Sequence, residues 1–254
     1  MTQSEIVQRR TRISEYIQVH GKLSTAHACR MFGVSDETIR KDFLYLEEMH
    51  VLEKTYGGAR LRKSDETKSY AARQDEHYLA KAGIAQRAAQ LIPAGGCTIG
   101  LDMGTTFGLL AGYLAQRSGS LIVTNSNAAI QQLAGSENRL YVLGGEYDAA
   151  SHSFHGENAC RALRELSLDI VFIGTGGVRG RDGISTARFA DVELKREFIR
   201  RSQRKVVLTD SSKFYSASLV EVAGWNEVDT LITDTGIPAE DAARLGEKLE
   251  LILV

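Results

Sequence analysis

Val34-Ser35-Asp36-Glu37-Thr38-Ile39-Arg40-Lys41-Asp42 reads as the opening of a helix. Ser35 is placed to accept from the first-turn backbone, and Asp36 and Glu37 sit at the positive end of the helix dipole. Val34, just before the cap, and Ile39, the fourth helical residue, have the spacing of a hydrophobic staple. Ile39, Phe43 and Leu46 recur at i, i+4 and i+7 and predict one buried stripe. Thr38, Arg40 and Lys41 are left facing outward. Two cations and a hydroxyl on the first turns of a docked helix suit a DNA major groove.

Working toward the N-terminus, Arg9 to Val19 carries Ile13, Tyr16 and Ile17 at helical spacing and stops at His20-Gly21. Ser24 or Thr25 is placed to cap a second short helix with Ala28, Cys29 and Phe32 as its buried positions, and Gly33 turns the chain into the helix at Ser35. Two short helices around a Gly-containing turn make a helix-turn-helix. On the other side, the helix runs to about Met49. Val51 to Tyr56 and Ala59-Arg60-Leu61 then read as two strands around Gly57-Gly58. In this wing Lys54, Tyr56, Arg60 and the backbone amides of the glycines can hold phosphates. A protein-interaction module with the same three-helix packing is the competing reading. The agreement of cap, stripe, outward cations and hairpin favours double-stranded DNA.

A chain of 254 residues, 43% apolar and 25% charged, has room for one large domain or two. Its net charge of -1 argues against an indiscriminate polyanion binder, so nucleic-acid contact must come from a local patch. Cys29, Cys97 and Cys160 show no C-x-x-C spacing, which predicts neither a disulfide framework nor a zinc site and fits the reducing cytoplasm. Met1 to Glu5 lacks a basic segment leading into an apolar core, and no run approaches the ~18 apolar residues of a membrane span.

Arg62 to Lys81 is dense in charge and hydroxyl groups and reads as a connector, residues 62–81, between a first domain at 5–61 and a second at 82–254. A helical pattern runs from about Gln74 to Ile92, with Ile84, Ala88 and Leu91 on one face. Beyond Cys97, apolar runs of strand length alternate with helices. The runs are 98–101, 121–123, 140–143, 170–173, 206–208, 231–232 and 251–254; the helices lie around 105–115, 128–134, 159–166, 192–201 and 239–249. Near-continuous apolar strands with crossover helices predict a Rossmann-like α/β domain with a mostly parallel sheet covered on both faces.

Polar and small residues follow each strand: Asp102 with Gly104, Thr105 and Thr106; Thr124 and Asn125; Gly144 and Gly145; Gly174-Thr175-Gly176-Gly177; Asp210 with Lys213; and Thr233-Asp234. These are the carboxyl ends of the strands, where open α/β sheets bind ligands. Gly104-Thr105-Thr106 leads into a helix whose N-terminus suits a phosphate. Asp102, Asn125 and Asp210 can bond hydroxyl groups, and Lys195 and Lys213 can balance phosphate charge. The set describes a sugar phosphate pocket, against the alternative that these are only turn residues and solvated lysines. Neither G-x-x-x-x-G-K-[ST] nor a strand-linked G-x-G-x-x-G is present, and no cofactor is predicted. His152 and His155 find no third metal ligand, and Ser153, Ser185 and Ser212 lack a nucleophile motif. Arg179, Arg181 and Arg188 either rim the pocket or pair with surface acids, the surface reading being preferred.

These residues carry a resemblance to the DeoR family of bacterial transcriptional regulators. The family's V-S-x-x-T-I-R-R-D-L pattern appears as Val34 to Phe43, followed by Leu46-Glu47 and Gly57-Gly58-Ala59. Lys41 and Phe43 stand where arginine and leucine are usual, and Met49-His50 where a polar residue and glycine often precede the wing. A point cation at Lys41 suits a phosphate better than bidentate guanine contact. The resemblance continues through Asp102-x-Gly104-Thr105-Thr106, Thr124-Asn125-Ser126, Leu143-Gly144-Gly145, Asp169-x-x-Phe172-Ile173-Gly174, Glu193-x-Lys195 and Asp210-x-Ser212-Lys213-Phe214. It implies a winged helix-turn-helix followed by an effector domain similar in fold to ribose 5-phosphate isomerase. It further implies a cytoplasmic homodimer or homotetramer that represses a carbohydrate operon until a phosphorylated sugar releases it. An isomerase-type enzyme with an appended DNA-binding domain is the alternative, although Gly174 to Gly177 replaces the acidic loop of the isomerases.

Overall fold

The computed structural model describes residues 6, 9–10, 12–13, 16–17, 20–48, 52–61 and 69–254. Internal contacts divide the chain into two compact units, Met1–Lys63 and Ser64–Val254.

In the first unit, the described residues between 6 and 20, apart from the gaps, are helical, with Ile13 and Ile17 fully buried. The chain continues through β1 (Lys22–Ser24), α1 (Thr25–Phe32), α2 (Asp36–Glu48), β2 (Leu52–Thr55) and β3 (Gly58–Leu61). The cap and the stripe take effect together on α2, where the Thr38 amide donates to Ser35 Oγ and Ile39, Phe43 and Leu46 are all buried. Ala28 of α1 is buried as its spacing predicts, but Cys29 and Phe32 are only half-buried. Val51 and the end of the helix at Met49 lie outside the described residues.

The wing is a three-stranded sheet in the order β1-β3-β2, with β1 a strand the sequence did not suggest. Thr55 pairs with Gly58, so the turn is Tyr56-Gly57, and Gly57 supplies its positive φ of 80°. Gly58 has a different task. It faces Ser24 in the β1–β3 ladder, and a Cβ there would meet Leu23 O at 2.5 Å and Ser24 Cα at 2.9 Å. Both are backbone atoms and cannot swing aside. Gly58→Ala is therefore expected to cost about 1–3 kcal/mol through overpacking, read as a lower midpoint in chemical denaturation of the first unit.

The second unit begins with α3 (Tyr70–Gln74) and α4 (Tyr78–Ala89). Residues 62–68 of the expected connector lie outside the described residues, but 69–81 are not a loose tether. The Tyr70 amide donates to Ala150 O at 3.0 Å, its ring stacks on His152 with centroids 4.9 Å apart, and Lys81 is buried. Charge density made this segment look solvated, whereas one face of it packs.

The sheet comprises β4 (Thr98–Leu101), β5 (Leu121–Thr124), β6 (Arg139–Val142), β9 (Leu168–Ile173), β11 (Ser202–Leu208), β13 (Thr230–Thr233) and β14 (Glu250–Leu253). Their order is β14-β13-β11-β9-β4-β5-β6, and every pairing is parallel. Alternate residues feed two cores: Val171, Ile173, Val207 and Leu231 on one face, Ile170, Phe172, Val206 and Ile232 on the other. The covering helices are α4 with α5 (Thr105–Leu114), α6 (Asn127–Leu133), α7 (Glu157–Arg164), α8 (Phe189–Arg201) and α9 (Ala239–Gly246). Two antiparallel pairs were not foreseen: β7 (Glu146–Asp148) with β8 (Ser153–His155), and β10 (Gly183–Thr186) with β12 (Val220–Gly224). They are short, three to five residues each, and of them β12 alone shows an apolar alternation, Val220-Glu221-Val222.

Candidate functional site

Two places gather the residues singled out from the sequence, one in each unit. On α2, Ser35 Oγ accepts from the Thr38 amide at 3.3 Å and lies 2.9 Å from Thr38 Oγ1. Arg40 and Lys41 are exposed and paired one turn back, Arg40 with Asp36 and Lys41 with Glu37 at 2.8 Å. Acid four positions before base is the favourable helical order, yet such exposed pairs are weak and can be exchanged for a stronger phosphate or base contact. On the wing, Tyr56 is fully exposed, Lys54 lies 3.8 Å from Glu47, and Arg60 pairs with Glu53 at 2.7 Å. Ser24 caps α1 by accepting from the His27 amide at 3.2 Å. Thr25 and Gly58 are buried, so their part is to hold the wing against α1, where the Thr25 amide donates to Gly57 O at 2.9 Å.

Asp42 was quoted only as the end of the motif, and it turns inward. Its carboxylate takes Arg9 Nε at 2.6 Å and Arg10 Nε at 2.9 Å, with Asp42 1% and Arg9 7% exposed. The pair pins the first helix to α2, which fixes the angle at which Thr38, Arg40 and Lys41 are presented.

In the second unit the strand order reverses between β4 and β9, because the chain leaves β4 toward β5 and returns to β4's other edge as β9. Loops after two such strands diverge and open a crevice at their carboxyl ends. Asp102 follows β4 and Gly174 follows β9. Asp102 Oδ2 accepts from the Gly174 amide at 2.9 Å and from Lys195 Nζ of α8, which also donates to Gly174 O at 3.1 Å. Asp102 and Lys195 are 2% and 5% exposed. Lys195 thus carries its own counter-charge and braces the crevice while lining its wall.

The crevice opens into a cavity lined by Gly104, Thr105 and Thr106 of the α5 N-terminus, by Lys195, and by Asp210 and Lys213. Gly104, with φ 132°, precedes α5 without a side-chain cap, so the first-turn amides are available to an anion. Burial alone pushes Asp210 upward, but Lys213, the Ser212 hydrogen bond, His77 and Lys81 together hold its carboxyl below the ordinary value. Asp102 and Asn125 lie behind this cavity in a small adjoining hollow. Four other candidates stand outside it. Thr124 Oγ1 donates to Leu101 O at 2.7 Å, the Gly176 amide donates to Ser185 O at 2.7 Å, Gly145 packs on the His155 carbonyl, and Gly144 is exposed. They shape the strand ends without lining the cavity.

Other lining residues were missed. Arg188, preferred as a surface residue, enters the cavity wall, pairing with Asp148 and lying 3.2 Å from His155 Nε2 and 3.3 Å from Asp191 Oδ1. The Ser151 hydrogen bond and Arg188 hold Asp148 well below the usual carboxylate range. His155 bonds Ser153 Oγ at 2.7 Å and sits 3.2 Å from Asp191; burial, reinforced by Arg188, pushes its pKa down against the pull of Asp191. Arg73, Glu76, His77 and Lys81 form a further wall from the segment read as connector. Lys81 had a signal: with Ile84, Ala85 and Ala88 it falls at i, i+3, i+4 and i+7 on the buried face of α4. In all, five cations, Arg73, Lys81, Arg188, Lys195 and Lys213, and three acids, Glu76, Asp191 and Asp210, line the cavity, while Asp102 and Asp148 pair with Lys195 and Arg188 from behind its wall. No group of three or more His, Cys, Asp or Glu suited to a metal occurs among the described residues.

Residues 9–65 match the DeoR-like helix-turn-helix domain, and residues 76–235 match the DeoR C terminal sensor domain. The HTH-type transcriptional repressor GlcR of Bacillus subtilis (strain 168) is 31% identical over 229 residues, 89% of this chain and 88% of that protein. The glycerol-3-phosphate regulon repressor of Escherichia coli (strain K12) is 29% identical over 232 residues, 91% of this chain and 92% of that protein. Among solved structures, ribose 5-phosphate isomerase a from Methanocaldococcus jannaschii aligns over 52% of each chain at 22% identity and a TM-score of 0.39.

Proposed function

The chain belongs to the DeoR family of transcriptional regulators, and from that premise we propose that it represses a carbohydrate-catabolism operon and leaves its operator DNA when a phosphorylated sugar enters the cavity of the second unit. The observation that carries the effector reading is the meeting of an uncapped helix N-terminus with a cluster of lysine and arginine side chains at the reversal of strand order. A phosphate satisfies the amides and the cations together, while Asp191, Asp210 and Ser151 are placed for hydroxyl groups. The relatives' names point the same way, since one is a glycerol-3-phosphate regulon repressor.

Sensing is preferred to isomerisation because the loop after β9 is Gly174-Thr175-Gly176-Gly177, which offers no carboxylate. A thermal-stability screen against phosphorylated pentoses and hexoses tests this. A ligand at a hundredfold its Kd adds about 2.7 kcal/mol, so a binder raises Tm clearly, with no product formed. Steady conversion of any of these compounds would show an enzyme instead.

For DNA, we place Thr38 and Arg40 in the major groove and Ser35, Lys41, Lys54, Tyr56, Gly57 and Arg60 against the backbone. Two reading heads at a half-site spacing require a homodimer or homotetramer in the cytoplasm. Arg40→Ala is expected to weaken specific binding roughly ten- to a hundredfold with little change on random DNA. Equal loss on both DNAs in a titration would move Arg40 from the bases to the phosphates.

A further inference from the structure

Lys81 is 5% exposed, yet it lines the cavity. Among the described residues its ammonium makes one hydrogen bond, to the neutral Arg73 carbonyl at 2.6 Å. Lys195, equally buried in the same cavity, has a carboxylate in direct contact. A buried charge without a paired counter-charge is costly, and the protein retains such a group where something else supplies the missing charge. Asp210 and, more weakly, Glu76 attract Lys81 without an ion-pair contact to it, and Asp210 also serves Lys213 and Ser212. Burial accordingly pushes Lys81 below the ordinary lysine value, with Lys213 and Arg73 working in the same direction.

The carbonyl that Lys81 holds has a specific place. Arg73 is the penultimate residue of α3, so the ammonium sits at the negative end of that helix. Arg73 lines the cavity as well. The other end of α3 is fixed by Ser69, which caps it, and by the Tyr70 amide on Ala150 O. Helix α3 is also the first described element after the segment joining the two units. The ammonium has three N–H donors and gives one to the Arg73 carbonyl, so an anion in the cavity pulls on the same group that holds the end of α3.

We propose that Lys81 binds the anionic group of the effector and, in turning to it, releases the Arg73 carbonyl, so that occupancy of the cavity loosens α3. This rests on the phosphate reading of the cavity and adds to it a named contact and a route by which binding reaches the connector.

The test uses the full chain with inorganic phosphate, D-ribose 5-phosphate, D-glucose 6-phosphate and sn-glycerol 3-phosphate as probes. Calorimetry gives Kd, and hydrogen exchange follows the amides of residues 70–76. Lys81→Gln keeps a donor for the Arg73 carbonyl and removes the charge; Lys81→Arg keeps the charge. In the wild type, a bound probe is expected to speed exchange at 70–76. Lys81→Gln should bind about ten- to a hundredfold more weakly and, when saturated at higher concentration, leave exchange at 70–76 unchanged. Lys81→Arg should recover much of the affinity. Unchanged affinity in Lys81→Gln, or exchange at 70–76 that does not respond in the wild type, overturns the role of Lys81 while leaving the phosphate reading intact. The wild-type exchange measurement stands even where a variant fails to fold. Failure of every probe to bind the wild type instead removes the phosphate reading, and the proposal with it.

Discussion

Asp42→Ala is expected to unfold the first unit, or nearly so. The carboxylate is 1% exposed and answers two guanidinium groups, one of them 7% exposed. Removing one partner of a buried pair costs about 3–5 kcal/mol, because the charge left behind has neither water nor a counter-ion. A core of this size rarely supplies more than about 3–5 kcal/mol in all, so the loss equals the reserve. In thermal melts followed by circular dichroism, the variant should lose the helical signal of the first unit and all specific DNA binding, while the second unit keeps its transition. A variant that melts within about 1 kcal/mol of the wild type would show that Arg9 and Arg10 rehydrate freely, and Asp42 would then not be the clamp.

Asp102→Ala is the corresponding experiment in the second unit. It leaves the Lys195 ammonium with one carbonyl and the Gly174 amide without its acceptor, both buried. The expected cost is again about 3–5 kcal/mol, with ligand stabilisation abolished because the crevice loses its brace. Combining it with Lys195→Met discriminates pairing from packing. Replacing both charges should recover part of the loss, since an apolar pair of similar volume is often tolerated where half an ion pair is not. Additive losses in the double variant would mean that the two side chains act separately.

Asp42 and Lys81 also show where the sequence could be read further. The stripe Ile39, Phe43 and Leu46 has Asp42 on the same face, just as Ile84, Ala85 and Ala88 have Lys81. A charged residue in an apolar slot of a helix marks a buried partner, a signal that the motif ending at Asp42 and the connector ending at Lys81 both contain. Every strand of the parallel sheet was legible, because strands buried on both faces leave unbroken apolar runs such as Ile170 to Ile173, although β11 begins four residues before its apolar run, with the polar Ser202 to Lys205. The cavity was only half legible. Gly104 to Thr106, Asp210 and Lys213 announce themselves by following strands. Arg188 meets Asp148 across 40 positions and through a hairpin without an apolar pattern, so nothing local indicates the pair. The same holds for β1, three residues with one buried side chain, Leu23, too few to show a pattern.

A phosphorylated sugar in the second unit is proposed to change the grip of the first on DNA. Fluorescence anisotropy of the full chain on a labelled fragment from upstream of its own gene tests this most directly, with each sugar phosphate and its unphosphorylated parent added in turn. At least one phosphate ester is expected to lower DNA affinity tenfold or more, with the parent sugar inert at the same concentration and Asp102→Ala unresponsive. DNA affinity untouched by every ester that binds the chain would contradict the account.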